Sequence, residues 1–351
     1  MSDIITIPGA IDLHVHLREP GTNPAETIKS GTLAAAAGGY VLVCDMPNNP
    51  GNPTWILESV KEKQRIITKD AAIEVLVYAG AQPESQNLDE LPKMAKQCVG
   101  LKLYGAPTTG NERDYEAEEF AAIIETWHKA APKKPIMLHA GSGNLSGFIQ
   151  LIAKKYNHPL HICHVNSAVA VELIKKAKQE ELPVTCGVCP HHLLMSSHDE
   201  KSRGWFARMQ PPLAHQIEAE KLFDHLVNGD IDVVETDHAP HLAENKWLAE
   251  RENPSGMHDG GNRTCYGVPG IEFALPLLFY QMKRGRISLE RIVEATSIKP
   301  AKIIGIEPPK KEITWEMTEY RINDDDVASA SGWTPYNGMM AVGKVKSMGM
   351  K

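Results

Sequence analysis

No stretch of this chain stays apolar long enough to cross a bilayer, and its first residues lack the basic-then-apolar pattern of a secretory leader. Both absences argue against a membrane protein and point to a cytoplasmic location. Basic residues are not in excess either: 37 Lys and Arg face 44 Asp and Glu, a formal net charge of −7. That balance argues against a nucleic-acid partner held by phosphate contacts. Cysteines are few, and Cys44, Cys98, Cys163, Cys186, Cys189 and Cys265 are scattered, not spaced as a secreted disulfide framework. Reduced thiols are expected. Cys186-Gly-Val-Cys189 has redox or zinc spacing, but no second pair completes a four-cysteine zinc site. The plainer reading is two small residues filling a strand and its exit.

What the chain does have is bulk: 351 residues, 42% of them hydrophobic, enough for one large α/β barrel. Eight apolar, β-branched segments end in polar residues, at 10–17, 40–47, 72–81, 99–105, 135–141, 159–166, 183–190 and 231–238. Helical composition fills 25–37, 54–68, 115–131, 167–180 and 216–228, with a shorter link between the third and fourth strands. Such alternation predicts parallel strands joined by right-handed crossovers. A doubly wound open sheet is the alternative to a closed (β/α)8 barrel of the TIM type. The polar residues favour the barrel. His14, His16, Asn48, Lys102, His139, His164 and Asp237 lie in or just after the last residues of different strands. A barrel gathers those ends on one face, where an open sheet would spread them along a line. The expected division is a barrel over 1–305 and a charged, peripheral C-terminal extension over 306–351, with helices at 270–284 and 288–304. An insertion at 242–266, rich in Asn, Gly and charge, reads as a lid or mobile segment.

His14 and His16 stand two apart on a strand, so they share a face and can grip one cation. Each histidine alone has a bland reading, a chance pair or a satisfied core residue; their common destination is what counts. Lys102 is odder, because a lysine inside an apolar strand must pair or change its chemical state. Its neutral amine can add carbon dioxide and become an anionic carbamate able to bridge two metals. Asp237 could merely cap the next segment, yet a carboxylate at the last strand end is placed to bind a metal and shuttle a proton.

The run IDLHVHLREPG, then DMPN, GLKLYG, HICHV, CPHH, TDHAPH and the closing WTPYNG, resembles in content and order the dihydroorotases of the amidohydrolase superfamily. The likeness covers about residues 8–345 and is similar both to the dihydroorotase domain of the animal multifunctional pyrimidine-synthesis protein and to bacterial class I enzymes. It implies a distorted barrel holding two zinc ions: His14, His16 and Asp237 on the more buried one, His139 and His164 on the more exposed one, carboxylated Lys102 and a hydroxide bridging both. The implied reaction is the reversible interconversion of N-carbamoyl-L-aspartate and L-dihydroorotate in pyrimidine (UMP) synthesis, with Asp237 carrying the proton. Arg18 is expected to hold the substrate carboxylate bidentately. By the same resemblance Asn48 and His241 complete that grip, and Tyr266 and Gly267 offer backbone contacts to the ring.

Departures from the family pattern are local. Gln210 stands where bacterial relatives carry Asn, and Thr108-Thr109 replaces a Thr-Phe pair on the loop after the fourth strand. A glutamate that helps hold a third zinc in animal-type sequences corresponds to Gly187, so no third zinc is expected although Cys163 is kept. Few residues precede the first strand, which implies that only a C-terminal remnant of the relatives' small β domain remains. The implied partners are the small-molecule substrate, a second copy of the chain in a homodimer, and an aspartate transcarbamoylase. Two other readings stay open. An allantoinase- or dihydropyrimidinase-type cyclic amidase would generally lack the arginine. A non-catalytic dihydroorotase-like scaffold for aspartate transcarbamoylase would usually have lost metal ligands.

Overall fold

The computed structural model describes residues 3–108, 113–253 and 265–349. The chain opens with β1 (Ile4–Pro8), then runs through β2 (Ala10–Val15), β3 (Tyr40–Asp45), β4 (Glu74–Gly80), β5 (Gly100–Tyr104), β6 (Ile136–His139), β7 (Leu160–Ile162), β8 (Val184–Val188) and β9 (Val233–Val234). It closes with β10 (Glu312–Arg321) and β11 (Met340–Gly349). Strands β2 to β9 form one parallel sheet in chain order. Their near-continuous burial is what strands covered on both faces require. The ring is completed at its C-terminal rim by a parallel bridge between Val15 and His238, where His16 N–H donates to the His238 carbonyl at 2.8 Å. A barrel, not an open sheet, is therefore the architecture.

Helices Ile28–Ala37, Leu57–Asp70, Ala121–Ala130, Ala168–Gln179 and Gln216–Val227 occupy the stretches of helical composition. Three of them start on side-chain caps: Thr27 Oγ1 accepts from Ser30 N–H at 3.1 Å, Ser167 Oγ from Ala170 N–H at 3.3 Å and His215 Nδ1 from Ile217 N–H at 3.3 Å. The eighth strand is shorter than the expected 231–238. Beyond Val234 the backbone leaves the ladder, because Thr236 gives its N–H (3.2 Å) and its hydroxyl (2.6 Å) to the buried Asp12 carboxylate.

The ends of the chain differ from expectation. Strand β1 pairs antiparallel with β10, from Ile4 opposite Glu316 to Pro8 opposite Glu312, and β10 pairs with β11. A boundary at 305 would cut through this three-stranded sheet. Nor is the tail peripheral throughout. Trp315 is fully buried with its ring 5.0 Å from that of Phe279, and Trp333 Nε1 donates to the His241 carbonyl at 2.8 Å. Trp333→Ala should therefore cost about 3–5 kcal/mol, the range for emptying a buried aromatic site. A urea-unfolding midpoint that barely moves would mean the tail only rests on the barrel.

Candidate active site

The strand ends converge on a narrow pocket at the C-terminal rim of the barrel. Its walls bring together His14, His16, Arg18, Asn48, Lys102, Thr108, His139, His164, Gln210, Asp237, Tyr266 and Gly267. His241 is not among the lining residues; its Nε2 hydrogen-bonds the carbonyl of Tyr266, which is, at 2.9 Å. Gly267 N–H is already engaged by the Arg208 carbonyl at 3.2 Å. Thr109 lies outside the described residues. Sequence reasoning missed Tyr104 and Ala239, both on the wall. Tyr104 had a signal, since it follows Lys102 by two on β5 and so shares its face.

Two donor groups face each other across the cavity floor. His16 Nε2 is 3.1 Å and His14 Nε2 3.4 Å from Asp237 Oδ1, and ligand atoms of these three residues fall within 4.8 Å of one another. Opposite them, His139 Nδ1 and His164 Nε2 stand 3.0 Å apart. His139 Nε2 meets the Pro107 carbonyl at 3.2 Å, which places its proton there and leaves Nδ1 as a bare lone pair. Lys102, fully buried, donates to Cys163 Sγ at 3.3 Å, a weak acceptor for an ammonium.

Burial, then the nearby Lys102 and neighbouring imidazoles, holds His14 and His164 well below the usual histidine range and pushes His139 to about 3. At neutral pH these rings are uncharged, with lone pairs free for a cation. Neutral imidazoles converging with one carboxylate are a donor set suited to a borderline-soft divalent ion bound through nitrogen and oxygen.

Backbone strain is concentrated here. Among the described residues six non-glycines have positive φ, and three of them are Arg18 (+64°), His164 (+37°) and Asp237 (+45°). Each such conformation costs of order 1–3 kcal/mol and persists only when its surroundings hold it. For Arg18 the support is Asp45, which accepts Leu17 N–H at 2.9 Å and pairs with Lys63 Nζ at 2.5 Å in full burial. Arg18 itself gives Nε to the Pro240 carbonyl at 3.2 Å. Burial lowers its guanidinium to about 10, still cationic at neutral pH.

The 242–266 insertion is not simply a loose lid. Ala243–Glu252 is helical and buries Lys246, whose Nζ donates to the Cys265 carbonyl at 2.5 Å; residues 254–264 lie outside the described ones. Burial lowers the Lys246 amine from 10.5 to about 7. The unfolded chain thus binds this proton between pH 7 and 10.5 while the folded chain does not, so its contribution to stability rises with pH across that window and is least below 7. Lys246→Met should remove that slope. Urea midpoints of wild type and variant compared at pH 7 and pH 10 check it, and parallel pH profiles would contradict it.

Of the C-x-x-C pair, Cys186 Sγ turns to the Asp230 carbonyl at 3.9 Å, whereas Cys189 groups with His191 and His192. All six cysteines are free and buried. Among the described residues no helix is long and apolar enough to cross a membrane.

Comparison with known proteins agrees with this architecture. The model of the amidohydrolase family matches residues 5–314. The chain is 33% identical over 349 residues to the multifunctional protein CAD of Squalus acanthias, covering 98% of this chain but only 14% of that protein. It is 32% identical over 375 residues to the dihydroorotase of Staphylococcus epidermidis, covering 96% of this chain and 84% of that one. Among solved structures, an L-hydantoinase from Arthrobacter aurescens superposes with a TM-score of 0.86 at 22% identity, over 99% of this chain and 85% of that one. An inactive dihydroorotase-like domain from a CAD-like protein of Chaetomium thermophilum gives 0.77 at 22%, over 99% and 94%. At such identities the structural matches speak for the fold alone.

Proposed function

The chain belongs to the amidohydrolase family, and on that premise we propose that it is a zinc-dependent dihydroorotase interconverting N-carbamoyl-L-aspartate and L-dihydroorotate in pyrimidine synthesis. The observation that carries this reading is Arg18, a buried cation on the wall that also holds His14, His16, Lys102, His139, His164 and Asp237. An uncharged hydantoin gives a buried guanidinium nothing to pair with; a ring bearing a carboxylate does. His14, His16 and Asp237 would hold one zinc ion and His139 and His164 a second, with Lys102, as its carbamate, contributing an anionic oxygen donor to the centre. When bound, the pair supplies Lewis acidity toward the amide carbonyl and the attacking water.

The chain's own groups do the rest. Arg18, with its Nε fixed by Pro240, orients the substrate carboxylate, and Asn48 brings a buried side-chain oxygen with no protein partner for a donor on the same ligand. Asp237 accepts the proton of the attacking water at its carboxylate and releases it to the leaving ring nitrogen; ring closure runs the same transfers backwards. Tyr104, Gln210 and Thr108 wall the ring and limit water. The small substrate, a homodimer, an association with aspartate transcarbamoylase and a cytoplasmic setting belong to this same reading.

Purified, zinc-loaded protein should open dihydroorotate and stop when chelator is added. Equal turnover of uncharged hydantoins would refute the assignment in favour of a broader cyclic amidase. A folded protein that retains no metal and turns over neither substrate would favour a scaffold.

A further inference from the structure

The Glu235 carboxylate occupies the space beside Gly187 that the missing side chain leaves open. A Cβ built on Gly187 would lie 2.6 Å from Glu235 Cδ and 2.7 Å from Glu235 Oε1, so a side chain at 187 and this carboxylate exclude each other. Glu235 follows β9 and Gly187 lies in the adjacent β8.

Its position is particular. Glu235 is fully buried, and burying a carboxylate is costly unless it is paired. Oε1 accepts His164 N–H at 2.6 Å, beside the strained φ of that residue. The same oxygen lies 4.0 Å from His14 Nδ1, longer than a hydrogen bond, and that buried nitrogen has no hydrogen-bond partner among the described residues. Oε2 faces His161 Nε2 at 3.4 Å. His14 turns its other nitrogen, Nε2, toward Asp237, so in a neutral ring that serves as a ligand through Nε2 the proton sits on Nδ1, facing Glu235. Metal-bound histidines commonly donate their second N–H to a carboxylate, which fixes the tautomer and raises ligand basicity. A proton-bearing Nδ1 cannot itself ligate. The donor atoms of His14, Cys163 and Glu235 are also close enough for a cation, a role in which Nδ1 would have to give up its proton.

We propose that Glu235 is the positioning residue of the metal centre, holding His164 through its backbone amide and serving as the acceptor that His14 Nδ1–H closes onto when Nε2 takes up the metal, and that Gly187 is the vacancy that admits it. One carboxylate thereby sets a ligand of each ion. The inference rests on the two-metal reading of the site but not on the identity of the substrate.

The test compares zinc-loaded wild type with Glu235→Gln, Glu235→Ala and the double variant Glu235→Ala/Gly187→Glu. It counts zinc per chain, measures zinc affinity by competition with a chromogenic chelator, and follows the melting of each metal-stripped protein. Glu235→Ala should keep the wild-type zinc count but bind it about 10–100-fold more weakly. Glu235→Gln keeps the shape and should lose less, and the double variant should recover much of the affinity by returning a carboxylate from the neighbouring strand. Metal-stripped proteins that melt alike would show that the loss is not general unfolding. Unchanged affinity in a folded Glu235→Ala would overturn the proposal. So would the loss of one whole equivalent with the rest still tight, which marks a ligand instead of a positioner. Normal zinc behaviour without dihydroorotate turnover would sink the proposed substrate and leave Glu235's role standing.

Discussion

Asp237→Asn is expected to lower kcat for dihydroorotate ring opening by about 10²–10⁴-fold, the span ascribed to a positioned general acid–base group. The amide preserves the shape of the side chain but cannot take a proton at the oxygen that lies 3.1 Å from His16 Nε2 and 3.4 Å from His14 Nε2. It also removes the one carboxylate in that donor set, so bound zinc must be counted beside the rate. Steady-state kinetics at saturating zinc are the measurement. A variant within about tenfold of wild type, far short of the range for proton transfer, would move the proton-carrying role elsewhere in the pocket.

The second large effect concerns selectivity. Truncating one partner of a buried, hydrogen-bonded charge pair costs about 2–5 kcal/mol, roughly a 30- to 5000-fold change. Arg18→Ala should lose that much in kcat/KM for dihydroorotate while leaving any residual turnover of an uncharged hydantoin little altered. Arg18→Lys should recover part of the loss, because a lysine restores charge but not the planar fork. The design of this test matters, since Arg18 also sits at φ +64° beside the buried Asp45–Lys63 pair. Equal losses on both substrates would show that the arginine acts through the local fold and not through a carboxylate.

The strand-end residues were legible because they obey two simple periodicities. His14 and His16 alternate on β2, and each remaining ligand closes a different apolar run, so a barrel could gather them without any knowledge of contacts. Other features depend on pairings that no local pattern encodes. The union of β1 with β10 joins residues some three hundred apart through antiparallel bonds, and nothing in IITIP says where its partner lies. The helix Ala243–Glu252 was concealed by a polar surface, which masked the burial of Lys246 beneath it. His241 was expected by resemblance to join the carboxylate grip, and the hydrogen bond between its Nε2 and the Tyr266 carbonyl is a pairing no local pattern encodes. Glu235 had a usable signal, as Val233, Glu235 and Asp237 alternate along one segment. What the sequence could not supply was the empty space at Gly187 that lets a charge lie there.

Crystals of zinc-replete protein measured at the zinc absorption edge put the central claim at risk most directly. Two anomalous peaks about 3.5–4 Å apart are predicted, one beside His14, His16 and Asp237 and the other beside His139 and His164, with added density on Lys102 Nζ joining them. A folded chain with no peak among these residues, or with Lys102 as a bare amine beside a lone ion, would contradict it.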